Sequence, residues 1–139
     1  MFIYKTTSMK KIANVSVIIL LLLGIGLSGC KKTKEITCSL YAAPSQPSVT
    51  MTVVYTAAQT GDGTISSLSY VTNAGTVTVS NPTLPWTISI SVVSGTNVNI
   101  SATGTTKNGS LKISYAGEAT TGSGTSKISG SDSCEQQTN

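Results

Sequence analysis

The sequence predicts an all-β domain that follows a short apolar leader. Three observations support this prediction. Beyond residue 48, apolar and polar residues alternate with a period of two in most segments, which is typical of half-buried strands. Glycine, asparagine and aspartate separate these segments at short intervals and favour turns there. After the leader, no segment repeats its apolar residues with the helical period of about 3.6.

The leader has the organisation of a secretory signal peptide. Lys5, Lys10 and Lys11 give it a positively charged start, and residues 12–27 form an apolar run without charge. As a helix, this run would extend about 24 Å, which is short of the ~30 Å hydrocarbon core that an uncleaved anchor must cross. The sequence therefore favours a cleaved signal over residues 1–29, with an uncleaved transmembrane anchor as the alternative.

The leader ends in Leu27-Ser28-Gly29-Cys30. These four residues resemble the lipobox of bacterial lipoproteins, in which the cysteine thiol forms a thioether with diacylglycerol. Lipid on Cys30 would hold the mature chain to a membrane of the cell envelope. The next residue is Lys31 and not the aspartate that resembles an inner-membrane retention signal, so the outer membrane is favoured in a Gram-negative host.

Removal of the leader leaves 110 of the 139 residues, which suits a single domain. The first part of this mature chain is charged and polar and then contains Pro44 and Pro47, which interrupt strands and helices. We therefore interpret it as a tether and an entry segment. The predicted divisions are a signal peptide over residues 1–29, a lipid-anchored tether and entry segment over 30–48, a β-sandwich over 49–134 and a tail over 135–139.

The mature chain contains seven or eight predicted strands. Lys107-Asn108-Gly109 includes the Asn-Gly pair that favours a tight hairpin, because both residues tolerate positive φ. Many short strands at regular spacing predict an antiparallel sandwich of immunoglobulin-like type, and a small barrel is the alternative. The predicted strands lie at residues 49–57, 65–72, around 77–79, at 86–92, 98–103 and 111–115, weakly near 119–125, and around 128.

The most distinctive local motif is Asn81-Pro82-Thr83-Leu84-Pro85-Trp86. Its two prolines restrict φ and impose an extended entry into the strand that begins at Trp86. Trp86 shares a strand face with Ile88 and Ile90, so we predict that it caps one end of the core. A surface role, in which the indole ring stacks on a ligand, is the alternative.

Cys38 and Cys134 remain as an even pair near opposite ends of the mature domain. In an oxidising compartment, such a pair most often forms a disulfide. Closing a loop of nearly the whole domain would remove denatured-state entropy worth about 4 to 5 kcal/mol. The chain has no histidine, and two thiols do not complete a tetrahedral shell, so we expect neither a metal site nor another cofactor.

The mature chain has six lysines, five acidic residues and no arginine, which gives a net side-chain charge of only +1. Half of these lysines lie in the predicted tether. This pattern argues against nucleic acid as a partner. The carboxylates are scattered over turns and termini, so the sequence indicates neither a paired-carboxylate site nor a general base. We therefore expect no enzymatic activity.

Several motifs between residues 49 and 117 occur in an order that is similar to a known family. They are Val54-Tyr55, Leu84-Pro85-Trp86, Gly95, Ser101-Ala102 and Gly109-Ser110-Leu111-Lys112-Ile113. This order resembles the extracytoplasmic domain of the MmpS family, the mycobacterial membrane proteins small. The resemblance implies an immunoglobulin-like sandwich, a single N-terminal membrane anchor and an accessory role beside large resistance-nodulation-division exporters. Here the anchor would be lipid in place of a transmembrane helix.

A second function class stays open at this point. The chain is alternatively a surface or periplasmic binding or adhesion module, whose loops or exposed edge strand hold a glycan or a protein. A neighbouring gene for a large transporter would favour the accessory role. Access of protease to the domain in whole cells would favour the binding module.

Overall fold

The computed structural model describes residues 34–136. Residues 1–33, which include the predicted signal peptide and Cys30, and residues 137–139 lie outside the described residues. Within the described part the regular elements are eight strands, and no helix there is long and apolar enough to cross a membrane. The strands are β1 (Ile36–Ser45), β2 (Met51–Gly61), β3 (Thr64–Thr72), β4 (Gly75–Ser80), β5 (Trp86–Val92), β6 (Val98–Thr106), β7 (Gly109–Thr121) and β8 (Gly124–Glu135).

The strands form two four-stranded antiparallel sheets that pack face to face. Sheet A has the order β1-β6-β3-β4, and sheet B has the order β5-β2-β7-β8. Only the β3–β4 and β7–β8 hairpins stay within one sheet, and every other connection between these eight strands crosses to the opposite sheet. The predicted all-β sandwich is confirmed, and its immunoglobulin-like type stays a prediction.

The core lies between the sheets and is built from alternate strand positions. Tyr55 and Tyr115 are almost completely buried, and their hydroxyl groups donate 2.6 Å hydrogen bonds to the carbonyls of Val71 and Ala43. These bonds satisfy the polar ends of otherwise apolar side chains. Burial, helped by the neighbouring Tyr115 and Tyr70, raises the pKa of Tyr55 to about 12. Other buried core residues are Val53, Leu68, Val92, Val98, Ile100, Leu111 and Ile113.

The first strand corrects the predicted domain boundary. The segment that we interpreted as tether and entry, residues 30–48, contains β1, which pairs with β6 and buries Cys38 and Leu40 at alternate positions. Pro44 does not prevent this strand because it lies near the strand end, where the register shifts, and β1 is an edge strand. The sandwich therefore begins with β1 and not at residue 49.

The last two strands are longer than the sequence predicts. β7 continues to Thr121 and β8 starts at Gly124, so the predicted weak strand near 119–125 is instead a hairpin with Gly122-Ser123 at its turn. The two strands pair without interruption over their shared length. The backbone ladder maintains these strands through a Gly-, Ser- and Thr-rich segment whose side chains have little apolar pattern.

Candidate binding surfaces

One side of the sandwich is closed by contacts between the edge strands β1 and β8. The predicted disulfide is confirmed and joins Cys38 of β1 to Cys134 of β8, with Cα atoms 5.8 Å apart. Asp132 lies opposite the buried Ile113, so it points inward, and it accepts a 2.8 Å hydrogen bond from the backbone N–H of Tyr41. An inward carboxylate on an edge strand discourages the addition of another strand. The β1–β8 side is therefore sealed.

The opposite side, between the edge strands β4 and β5, is only partly closed. Apolar side chains from both strands and from the loop between them pack against the core but stay partly exposed. Val77 is 38 % exposed. We call this region the open side. Its apolar residues are Val77, Val79, Leu84, Trp86, Ile88 and Ile90.

The motif Leu84-Pro85-Trp86 lies at the open side. The Leu84–Pro85 peptide bond is cis. The Trp86 side chain points into the sandwich, since its pairing partner Ala57 is buried, and its ring centroid lies 5.4 Å from that of Tyr70. Trp86 is nevertheless only half-buried, because β5 is an edge strand that no other described strand covers on its outer side.

The two sheets differ in charge. The four strands of sheet A contain no acidic or basic residue. In sheet B, β7 and β8 carry Lys112, Glu118, Lys127, Asp132 and Glu135. Glu118 and Lys127 form an ion pair of 3.1 Å. Covering charged groups removes their hydration, so an uncharged partner surface fits sheet A better than sheet B.

The outer face of sheet A carries a shallow groove of about 310 Å³ beside an exposed aromatic ring. Tyr41 is 56 % exposed, more than any other large apolar side chain among residues 34–136. Strand pairing places Tyr41 beside Ser101, and Ser101 beside Ser69. We call this surface the Tyr41 face. Its groove is lined mainly by Ser39, Tyr41, Ser67, Ser69, Ser101 and Thr103.

Our reading of the sequence did not single out Tyr41. A signal was present, because Tyr41 alternates with the buried Leu40 and Ala42. The two prolines that follow, Pro44 and Pro47, led us to interpret this segment as an entry loop, and a loop has no defined outer face. The exposure of the ring follows from the strand assignment.

Asp62 organises the turns at one end of the sandwich. Its Oδ1 atom accepts hydrogen bonds from the backbone N–H groups of Asn108 and Lys107, both at 2.9 Å, and from the Thr106 hydroxyl at 3.1 Å. The backbone bonds from Asn108 and Lys107 hold the pKa of this carboxyl below its usual value. Three donors converge on one oxygen, which indicates a structural role for the carboxylate.

The Tyr41 face and the edge of β5 together offer three kinds of chemistry, namely aromatic contact, hydrogen bonding by hydroxyl groups and backbone pairing. Along residues 34–136, no three histidine, cysteine or carboxylate side chains are grouped so that they could hold a metal ion. Cys38 and Cys134 are already joined in the disulfide. No family model matches the chain, and no characterised protein or solved structure matches it either.

Proposed function

We propose that this chain is a lipid-anchored module of the cell envelope that binds a neighbouring membrane protein and performs no chemistry of its own. The observation that carries the proposal is the Tyr41 face, an uncharged sheet face with an exposed aromatic side chain. Following the resemblance to the MmpS family, the partner is a large resistance-nodulation-division transporter. The module is then an accessory subunit, held in the outer membrane of a Gram-negative host.

The position of the first strand supports a partner whose extracytoplasmic part reaches the surface of the anchoring membrane. β1 begins at Ile36, six positions after the proposed anchor at Cys30. An extended chain spans at most about 3.5 Å per residue, so β1 starts within roughly 20 Å of the lipidated residue. Such a short connection keeps the domain at the membrane surface.

The chemistry of the Tyr41 face suits a contact with another protein. Tyrosine is enriched at interface hot spots because it combines a large apolar ring with a polar hydroxyl group. Ser39, Ser69 and Ser101 add donors and acceptors without the hydration penalty of a charge. Tyr41 also lies in β1, the strand that follows the proposed anchor, so only a short stretch of chain separates this face from the lipidated residue.

Photo-cross-linking in native membranes tests this proposal. A photoreactive residue at Ser101 is expected to give an adduct with one large membrane protein, whereas the same residue at Lys112, on the outer face of sheet B, should not. Tyr41→Ser should reduce the Ser101 adduct about tenfold or more, because aromatic hot spots typically contribute ~2 kcal/mol or more. Val54→Ser changes an exposed apolar residue of sheet B and is the matched control. Equal adducts from both faces would contradict the proposal.

The groove favours a second candidate function, the binding of a neutral glycan. A tyrosine ring offers an apolar face to a sugar ring, and the surrounding hydroxyl groups offer hydrogen bonds. The groove volume of about 310 Å³ lies at the lower end of the range for ligand sites. Titration calorimetry with neutral oligosaccharides tests this function. Binding should disappear in Tyr41→Ser and persist in Val54→Ser, and no heat with any neutral glycan would argue against it.

A further inference from the structure

β5 has one backbone edge that faces away from sheet B. Within residues 34–136, β5 pairs only with β2. At the end of β5, the Asn73 side chain donates to the carbonyl of Ser91 at 2.9 Å and accepts from the N–H of Val93 at 3.0 Å. Asn73 thus takes the place of one residue of a neighbouring strand on the side opposite β2.

The Asn73 contacts identify which backbone groups lie on the free edge. In a strand, the N–H and C=O groups of alternate residues point to the same edge. Because Ser91 points away from β2, Ser89 and Thr87 point away from it as well. In the described part, the backbone groups of these two residues have no hydrogen-bond partner on that edge.

The free segment is closed at both ends. The carbonyl of Ser91 already accepts a hydrogen bond from Asn73. At the other end the next edge position is Pro85, which has no N–H to donate. Among the edge positions from 85 to 91, only Thr87 and Ser89 offer both an N–H and a carbonyl without a partner, and they lie symmetrically about Ile88.

β5 also lacks the features that usually protect an edge strand. It contains no proline and no charge, in contrast to β8 with its inward Asp132. No charged residue occurs anywhere from Gly63 to Thr106. On the inner face, Ile88 and its neighbours in the open side are only half-buried, so an added strand would cover apolar surface.

We infer that β5 pairs antiparallel with β5 of a second copy of this chain, about a two-fold axis at Ile88. Thr87 and Ser89 of one copy then face Ser89 and Thr87 of the other as two hydrogen-bonded pairs. The two copies of sheet B join into one continuous sheet, and the same patch serves both sides of the interface. The inference goes beyond the proposed function, because the Tyr41 face stays free in the pair.

A second copy is the occupant that fits this edge. In the two-fold register Pro85 faces Ser91 of the other copy, so full pairing stops where one copy has no N–H and the carbonyl of the other is already bonded to Asn73. Trp86 then lies opposite Ile90 of the other copy, so the half-buried apolar side chains of the two β5 strands pack beside each other. Two identical uncharged edges bring no like-charge repulsion. Lipid anchors in one membrane would also raise the effective concentration of the two copies.

Sedimentation velocity of the mature lipoprotein in detergent tests the pairing. The native protein and Ser89→Val, which keeps the N–H group, should sediment as dimers. Ser89→Pro removes that N–H from the free edge and leaves the β2–β5 bonds intact, so its dissociation constant should rise about tenfold or more. A native protein that is monomeric, or a Ser89→Pro protein that dimerises as tightly as Ser89→Val, would overturn the inference.

Cysteine cross-linking in isolated membranes gives a second measurement that does not depend on how Ser89→Pro folds. At the two-fold axis, the Ile88 Cα atoms of the two copies would lie about 4.5 Å apart, within the range for a disulfide. Ile88→Cys should therefore form a disulfide-linked dimer. Ser91→Cys is the control, because its two copies would be separated by roughly 20 Å. Cross-linking of Ser91→Cys equal to that of Ile88→Cys, or a product with another protein only, would contradict the pairing.

Discussion

Asp62 connects the β2–β3 turn to the β6–β7 turn through three hydrogen bonds to one carboxylate oxygen. The backbone N–H groups of Asn108 and Lys107 lower its pKa in the folded state. A lowered folded pKa means that the ionised form is favoured by folding. The stabilisation is thus present above the unfolded pKa of about 3.9 and is lost as the pH falls through the lower folded pKa.

Asp62→Ala is expected to lower the melting temperature at neutral pH, because the turn N–H groups lose their acceptor. Asp62→Asn keeps an oxygen acceptor but not the charge, so its melting temperature should lie between those of Asp62→Ala and the native protein. The difference between Asp62→Asn and the native protein should shrink as the pH falls through the lowered folded pKa of Asp62, because the native carboxylate then becomes protonated. Thermal unfolding followed by circular dichroism at neutral and acidic pH measures both effects. A difference that is the same at both pH values would exclude a charge-dependent role.

Trp86 illustrates how direction and burial have different origins at the residue scale. The alternation of Trp86, Ile88 and Ile90 is enough to predict that they share one face of a strand. Their extent of burial depends on whether another strand lies beside β5. β5 is an edge strand in sheet B, so this row is only half-buried.

At the scale of strands, the Cys38–Cys134 disulfide joins the edges of the two sheets. It links β1 to β8 across a sequence separation of 96 residues. Closing a loop of this length reduces the entropy of the unfolded chain, which stabilises the folded state. The strand that contains Cys38 is the one that the sequence did not predict, although the pairing itself followed from the cysteine count.

Cys134→Ser should lower the free energy of unfolding by about 2 to 5 kcal/mol, because it removes this cross-link. Denaturant unfolding of the purified protein measures the change. A reducing agent provides the internal control, since it should bring the native protein to the stability of the variant and leave the variant unchanged. Equal stability of oxidised native protein and Cys134→Ser would show that the cross-link does not stabilise the fold.

At the scale of the whole molecule, charged side chains collect at the end of the sandwich where the chain enters. Strand pairing places the start of β1, the β2–β3 and β6–β7 turns and the end of β8 at this end. The Lys107 Nζ and Glu35 Oε2 atoms lie 3.8 Å apart at this end. The turns at the opposite end carry no charge. In the proposed lipoprotein, the charged end is the one that the chain enters from the lipidated residue.

Cys30→Ala should release the protein from membranes, because the proposed lipid on this residue is its anchor. Cell fractionation together with metabolic labelling by a fatty acid measures the loss. Cys134→Ser is the matched cysteine control and should keep both the label and the membrane association. Fatty-acid label that persists on Cys30→Ala would rule out the proposed lipidation site.

The local part of this fold follows from the sequence, because a strand face and a turn depend on neighbouring residues. The strands around Tyr55, Tyr70, Trp86, Ile100 and Ile113 were predicted from period-two alternation, and the hairpin at residues 107–109 from its Asn-Gly pair. Where side chains carry little apolar pattern, as in β8, the backbone ladder decides the length of the strand.

The tertiary structure alone decides which strands are edges and which edges meet. Pairing between β1 and β6 turns a predicted entry segment into a strand and places Tyr41 on an outer face. The order of sheet B leaves β5 at an edge, and the β3–β4 turn brings Asn73 to its end. These features depend on contacts between residues that are distant in sequence. Alternation fixes the direction of a side chain but contains no information on the neighbour of a strand.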